Sequence, residues 1–437
     1  MSTPQISGRR TLPAGLALAG AAITFTSMYL AAGALTPLLV VYKERFDFAS
    51  SMLTLAFAVY AIGFLAAVLT VGSLSDYLGR RPVLIGALVV QIASNLLFLF
   101  ASDVGWVIGG RIVQGVASGA ATSAFTAMLV EVAPANRKRL GTILGSVGLT
   151  GGLGGGSLLA GLAIQFTSSA NTIIFVVLTV ATVLGIVVVA FSPESVVRAS
   201  GAARSLIPRI SFPAATRREF VAAAPVVAAV WMLAGLSGGL APSLVRSVFH
   251  SDSSLLGGFV GFVAPAVSAV IGLAFARVAP RRAMTIGIYA SIIGAAGIIT
   301  GVLVGSLAVM IVGQAIAGVG FGASFTASLR LIFPLAAAHQ RAGVVAGIYL
   351  VSYLALGVPI VIEGQLVSPL GEVPAVFWYT AVTILLALIS LVAQLRLKRG
   401  GQLESSQGSP GTRSGRNPLD PAKVAAEASP AASASGR

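Results

Sequence analysis

The chain of 437 residues contains no cysteine and only two histidines, His250 and His339. Without thiols there is no disulfide and no thiolate metal site, and the redox state of the compartment leaves no mark. Neither histidine has a ligand-like neighbour, so a zinc centre or a Ser-His-Asp triad lacks its parts, and neither metal nor cofactor is expected. Charge is scarce as well: Asp, Glu, Lys and Arg make up 9% of the residues, against about 25% in a soluble domain. So few charges cannot cover a water-facing surface. A membrane-embedded enzyme would need a nucleophile–base pair or a metal cluster at one depth, and the sequence offers none.

Hydrophobic residues make up 56% of the chain and gather into runs. Twelve have membrane-spanning length: 14–41, 51–71, 83–101, 104–130, 142–167, 172–192, 221–245, 255–278, 283–304, 306–333, 342–366 and 375–395. The pattern predicts an all-α polytopic protein embedded in a lipid bilayer. The first run is too long for the apolar region of a signal peptide and ends in no A-x-A site, so a retained helix is expected.

The net charge of +15 raises nucleic acid as a partner, but the placement of the basic residues argues against it. With the runs drawn as hairpins, 24 of the 28 Lys and Arg residues fall on the side of the two termini; Lys43, Arg45 and Arg246 fall opposite, and Arg111 lies within a run. By the positive-inside rule both termini are cytoplasmic and the protein is a multi-pass protein of the cell membrane. Residues 193–219, with five arginines among prolines and serines, read as a cytoplasmic linker between bundles at 1–192 and 220–399. Residues 400–437, rich in Ser, Gly, Pro and Ala, are expected to be a disordered tail.

The two halves share a register. Phe125, Thr126, Ala127 and Leu129 recur as Phe325, Thr326, Ala327 and Leu329. Gln114 is answered by Gln314 and Pro134 by Pro334 at the same spacing. Such a run of matches points to two homologous halves of six helices each.

Three stretches carry a family resemblance. The turn "GSLSDYLGRRP" (72–82), between the second and third runs, resembles the signature loop of the major facilitator superfamily. "GRIVQGVASGAA" (110–121) is similar to that family's motif in the fourth helix, and "PES" (193–195) to a triplet that follows the sixth. The resemblance implies twelve transmembrane helices in two pseudo-symmetric six-helix bundles, working as a secondary transporter by alternating access on a small molecule. A monomer is expected. It also implies a gate. Gly72 and Gly79 would shape the turn, Asp76 would latch to the start of the eleventh helix, and Arg80 or Arg81 would pair with Glu131. A plain solvated hairpin is the competing reading. The second half, with Ala276 in the place of Asp76, has lost the motif.

Arg111 is the one basic residue well inside a run, where a charge costs about 2.5–3.5 kcal/mol and faces a cavity or a partner; partial snorkelling to the outer surface is the competing reading. Gln114 shares its helical face. In this family helices 1, 4, 7 and 10 line the path, so by depth the candidate substrate residues are Tyr29, Arg111, Gln114, Trp231, Gln314 and Phe325. These are mostly aromatic or uncharged, which favours efflux of amphiphilic, drug-like compounds; Arg111 would admit an anionic group, so uptake of a small organic anion is the alternative. A non-transporting receptor on the same fold is a remoter one. Protons are the candidate coupling ion, with Glu363 and Arg111 as their sites, although the first run lacks the acid that proton-coupled members often carry there. In the fifth run, "GSVGLTGGLGGGSLLAG" (145–161) partly resembles the drug–proton antiporter motif, with Ser157 replacing its proline. Close packing of small residues explains the same stretch.

Overall fold

The computed structural model describes residues 11–196, 199–208, 210, 212–337 and 340–407. The basic residues Arg9, Arg10, Arg198 and Arg209, together with His339 and the tail from residue 408, lie outside the described residues.

Twelve helices are long and apolar enough to cross a membrane. The first bundle comprises α1 (Ala14–Phe46), α2 (Ser50–Thr70), α3 (Arg80–Leu99), α4 (Val104–Val132), α5 (Lys138–Phe166) and α6 (Ala170–Phe191). The second comprises α7 (Ala214–Ser247), α8 (Ser254–Ala274), α9 (Pro280–Leu303), α10 (Leu307–Ile332), α11 (Arg341–Leu370) and α12 (Glu372–Gln407). Several ends follow local chemistry. Pro13 and Pro213 immediately precede α1 and α7, and Pro280 opens α9, where a missing N–H costs nothing. The Asp103 carboxylate accepts from the Gly105 and Trp106 amides at the start of α4, satisfying two donors that no helical carbonyl can reach. Helix α7 begins at Ala214, inside the stretch read as linker, and α12 continues to Gln407, past the start of the stretch read as tail.

Each bundle has its own apolar core. Phe25, Leu84, Phe125 and Met128 are buried in the first, and Val226, Met284, Ile288 and Val344 in the second. Outward-facing side chains are apolar too: Val177 and Leu184 on α6, Ile293 on α9 and Leu385 on α12 are exposed. A surface of that kind suits hydrocarbon rather than water.

Glycine sets the closest approaches. A Cβ at Gly33 on α1 would stand 1.9 Å from the Leu153 carbonyl oxygen on α5, and one at Gly156 would stand 2.1 Å from the Leu30 carbonyl. Gly148, Gly152 and Gly156 of the fifth-run repeat therefore form the face of α5 that meets α1, and packing accounts for their spacing.

The bundles meet along α2–α11 and α5–α8. Phe64 and Tyr353 stack at 4.2 Å, and Ser157 Oγ donates to the Gly258 carbonyl at 3.0 Å. Farther from the 72–82 turn, Arg246 pairs with Glu44, and Gln165 Oε1 accepts from Ser253 Oγ at 3.3 Å and from the Leu255 amide at 3.4 Å. Among the described residues, no ion pair or side-chain hydrogen bond joins the bundles at the turn-bearing face. The seam is thus closed at mid-depth and at the opposite face.

Candidate substrate cavity and the charged turn

Between the bundles at mid-depth lies a cavity with about 1020 Å³ of empty space, part of it continuous with solvent. Its walls come from both bundles: Tyr29, Phe57, Tyr60 and Arg111 on one side, Trp231, Phe321 and Tyr353 on the other. The aromatic rings touch one another in a partial cage. Trp231 lies 4.8 Å from Tyr353 and 5.3 Å from Phe321, centroid to centroid.

The path of α7 contributes a further feature. A wide turn at Leu236–Leu240 interrupts its α-helical ladder, where Gly238 and Gly239 let the helix press against Phe57 of α2. The turn brings Ser237 and Gly238 to the cavity wall. The hydroxyl of Ser237 and the indole N–H of Trp231 are both buried there without a hydrogen-bond partner in the protein. A buried donor left in that state costs about 1–3 kcal/mol, which a bound acceptor would recover.

Among the described residues, Arg111 is the only charged one in the wall. It is 2% exposed, which fits a role inside the protein and not a side chain reaching the membrane surface. Its Nε donates to the Ala56 carbonyl at 3.1 Å, Nη1 to Gln114 Oε1 at 2.7 Å, and Nη2 to the Phe57 carbonyl at 3.5 Å. The guanidinium carbon sits 4.5 Å from the Tyr60 ring centroid and 5.5 Å from that of Phe57. No carboxylate pairs with it among the described residues. A guanidinium has five N–H donors, and three are engaged in these bonds, so two remain for a ligand.

Of the six residues expected along the path, Tyr29, Arg111 and Trp231 reach the cavity. The other three stand behind it. Gln114 is fully buried and its carbonyl is taken by Arg111, so it positions the guanidinium instead of facing a ligand. Gln314 is fully buried with neither amide atom partnered and is absent from the wall. Phe325 packs against Trp231 at 5.6 Å, and Phe321, one helical turn earlier, takes the wall position. The aromatic residues of α2 and α11 were missed. Their spacing, Phe57–Tyr60–Phe64 and Tyr349–Tyr353, was the available signal, since it repeats at helical intervals along one face. Glu363 is 3% exposed, and it lies at the opposite face from the turn, outside the cavity.

At the turn, Arg80 is the hub. Its Nη1 meets Asp76 at 2.5 Å and Ser75 Oγ at 2.6 Å, while Nη2 meets Glu131 of α4 at 2.9 Å. Ser195 Oγ also donates to Glu131. A second carboxylate, Glu194, caps α3 by accepting from the Arg80 and Arg81 amides at 2.9 and 3.0 Å. Gly79 makes the cap possible: its φ is +98°, and a Cβ there would stand 2.8 Å from the Glu194 carboxylate. Gly72 seats the turn over α4, with a Cβ position 3.3 Å from Ser123 Oγ. The side chain of Arg81 takes no part in these pairs; its amide does. Asp76 has Arg80 as its ion-pair partner, and no described contact joins it to α11, the expected latch partner. Glu194 and Ser195 are the two polar residues of the "PES" triplet, and both bond to groups of the turn or its Glu131 partner.

A family model described as Major Facilitator Superfamily matches residues 21–362. A triacylglyceride transporter of Mycobacteroides abscessus is 31% identical over 135 residues, 30% of this chain and 26% of that protein. The multidrug resistance protein MdtL of Citrobacter koseri is 36% identical over 69 residues, 16% of this chain and 18% of MdtL. A uridine/deoxyuridine transporter of Lactococcus lactis subsp. cremoris is 28% identical over 39% of this chain and 35% of that one. The chain therefore spans no more than about a third of the length of these relatives in the matched stretches. Among solved structures, the human organic anion transporter MFSD10 aligns with a TM-score of 0.63 at 17% identity, covering 87% of this chain and 100% of that one. A POT family transporter in complex with 5-aminolevulinic acid aligns with a TM-score of 0.67 at 13% identity, covering 88% and 96%. The twelve helices, the Arg80 turn and the match over most of the length agree, and the chain belongs to the major facilitator superfamily.

Proposed function

We propose that the protein exports small amphiphilic compounds by alternating access, its two bundles rocking about the mid-depth cavity. The observation that carries this reading is the cavity wall: six aromatic rings from both bundles surround a space whose only formal charge is Arg111. An apolar, aromatic wall takes up a hydrophobic body without strict shape selection. The likeness to multidrug resistance proteins supports the export direction. Orientation follows the basic residues, with both termini and the 193–219 segment in the cytoplasm. The cavity, closed at the opposite face, then faces inward.

One feature of the wall favours a second reading within the class. Arg111 with two free N–H groups, the Trp231 indole and the Ser237 hydroxyl all offer donors and no carboxylate competes for them. The favoured substrates are accordingly anionic or rich in acceptors at one end, and uptake of an organic anion would use the same contacts. Tyr29 and Trp231 supply wall area, while Gln114, Gln314 and Phe325 support from behind. Asp76, Arg80 and Glu131, with Gly72 and Gly79, form the proposed gate. Glu363 is the proposed proton site, and Arg111 answers to the substrate more than to the proton.

The test is transport into proteoliposomes of two aromatic amphiphiles of matched size, one a sulfonate and one a quaternary ammonium. The sulfonate is expected to accumulate and the ammonium to be excluded. Transport of the ammonium alone would overturn the assignment of Arg111, and transport of neither would overturn the amphiphile reading.

A further inference from the structure

Glu363 sits where a carboxylate has least reason to be. It is 3% exposed on α11, and its Oε2 is buried without a hydrogen-bond partner. It faces a small chamber in the opposite-face seam, bounded by Ser50 and Leu53 of α2, Leu240, Ser243 and Leu244 of α7, Val367, and Glu372 at the start of α12. The chamber holds about one water molecule. It draws on both bundles, and the seam is tight around it: a Cβ at the adjoining Gly364 would stand 1.9 Å from Thr54 Oγ1.

The groups around the chamber do not supply a counter-charge. Glu372 adds a second carboxylate, held by the Ser247 hydroxyl. Lys43 of α1 donates to Ser50 Oγ at 2.8 Å and forms no ion pair with Glu363. Arg246 is committed to Glu44 across the seam. Tyr379 of α12 donates its hydroxyl to the Met232 carbonyl at 2.8 Å. An uncompensated buried charge costs several kcal/mol, so the closed seam selects the neutral carboxyl. A sodium ion would need several oxygen ligands in a space of one water, and the Ser243 hydroxyl is already given to the Leu240 carbonyl. A proton needs no added room.

We propose that Glu363 binds an exchangeable proton that holds the opposite-face seam shut, at a site separate from the substrate cavity. The proton comes from hydronium and forms an O–H bond on Glu363, leaving water. When the seam opens, the carboxyl is hydrated and releases the proton to that face. Protonation and closure are linked reciprocally, so each favours the other. The proton acts on the gate, and it need not compete with the substrate for a shared side chain. The inference rests on the alternating-access reading above.

The cysteine-free chain allows a direct test. Ser102→Cys and Val304→Cys place spin labels on exposed loops of the two bundles at the opposite face, away from Glu363. Full-length protein in lipid nanodiscs is measured by pulsed dipolar EPR across pH 5–10. The expected result is one short distance in acid and a longer one growing with pH, by at most about tenfold in population ratio per pH unit for one proton. Glu363→Gln should hold the short distance at every pH. Glu372→Gln, which removes the neighbouring negative charge, should move the transition to lower pH. A pH-dependent opening that survives Glu363→Gln would overturn the site, as would closure by sodium chloride at high pH. The Arg111 transport assay reads the cavity alone, so intact transport alongside a pH-independent seam would overturn only the proton site.

Discussion

Replacing Arg111 by lysine keeps the charge and removes the plane. In the structure the guanidinium bridges the Ala56 carbonyl, the Phe57 carbonyl and Gln114 while lying 4.5 Å from the Tyr60 ring. Those contacts leave two N–H groups, one on each terminal nitrogen, for a ligand. A lysine ammonium has three donors on one atom and cannot hold the two α2 carbonyls, stack on Tyr60 and present a fork to an anion together. A hydrogen bond to a charged group contributes about 1.5–3 kcal/mol, so losing one such bond to the substrate lowers anion affinity by roughly ten- to a hundredfold. Counterflow of the aromatic sulfonate in proteoliposomes reads this as a raised half-saturation concentration. A neutral amphiphile of the same body should be carried within a few-fold of the wild-type rate, because the aromatic wall is unchanged. The pair of substrates separates recognition from folding. Wild-type half-saturation for the sulfonate in Arg111→Lys would refute the claim that the fork grips the anion.

Other perturbations probe the supports. Trp231→Phe keeps the ring but removes an unpartnered donor, so sulfonate affinity should fall several-fold in the same assay with expression unchanged. Glu131→Gln weakens the Arg80 hub, 11% exposed at its side chain, and should lower stability by about 1–3 kcal/mol in thermal unfolding; combined with Asp76→Asn, the losses should sum to less than the two singles. Gly33→Ala forces α1 away from the Leu153 carbonyl and should cost about 1–3 kcal/mol or abolish folded expression, as judged by size-exclusion chromatography. For topology, a cysteine at Ser200 should resist an impermeant reagent in intact cells and one at Ser102 should react; the reverse pattern would invert the orientation.

The twelve helices were legible because the bilayer imposes length and hydrophobicity together. Their ends were less so. α1 runs to Phe46 and not to 41, carrying Lys43, Glu44 and Arg45, since a helix continues past the hydrocarbon wherever its backbone stays satisfied. Arg111 was legible for the opposite reason: a charge in an apolar run is costly enough to demand an explanation. Phe57, Tyr60 and Tyr353 carry no such cost. Aromatic side chains are equally at home against lipid, core or ligand, and only packing of α2 against α11 decides which. Depth alone misplaced Gln114, Gln314 and Phe325 for the same reason, because the side facing the cavity depends on helix rotation. Glu194 was invisible as a cap until the chain after α6 was seen to return to the start of α3.

The asymmetry between the halves bears on how motion is expressed. In the first bundle the Arg80 hub and the Glu194 cap tie together α3, α4, the 72–82 turn and the chain that follows α6. In the second, where Ala276 replaces the acid, Arg281 of α9 pairs with Glu219 of α7 and donates to Gln394 of α12 at 2.6 Å. The ties differ in residue and in helix, yet each is made within its own bundle and at the turn-bearing face. Among the described residues, the polar ties across the bundles lie within the membrane span or at the opposite face. In the proposed alternating-access motion, two internally clamped bodies joined by a seam would rock as units, and a displacement started at one face would not be absorbed by bending inside a bundle. It must be met at the seam, where small residues such as Gly161 and Gly258 meet backbone to backbone and little side-chain repacking is needed. If Glu363 carries the proposed proton, the same rigidity lets one neutralised carboxyl in that seam bias both bundles, because separating them there would hydrate it.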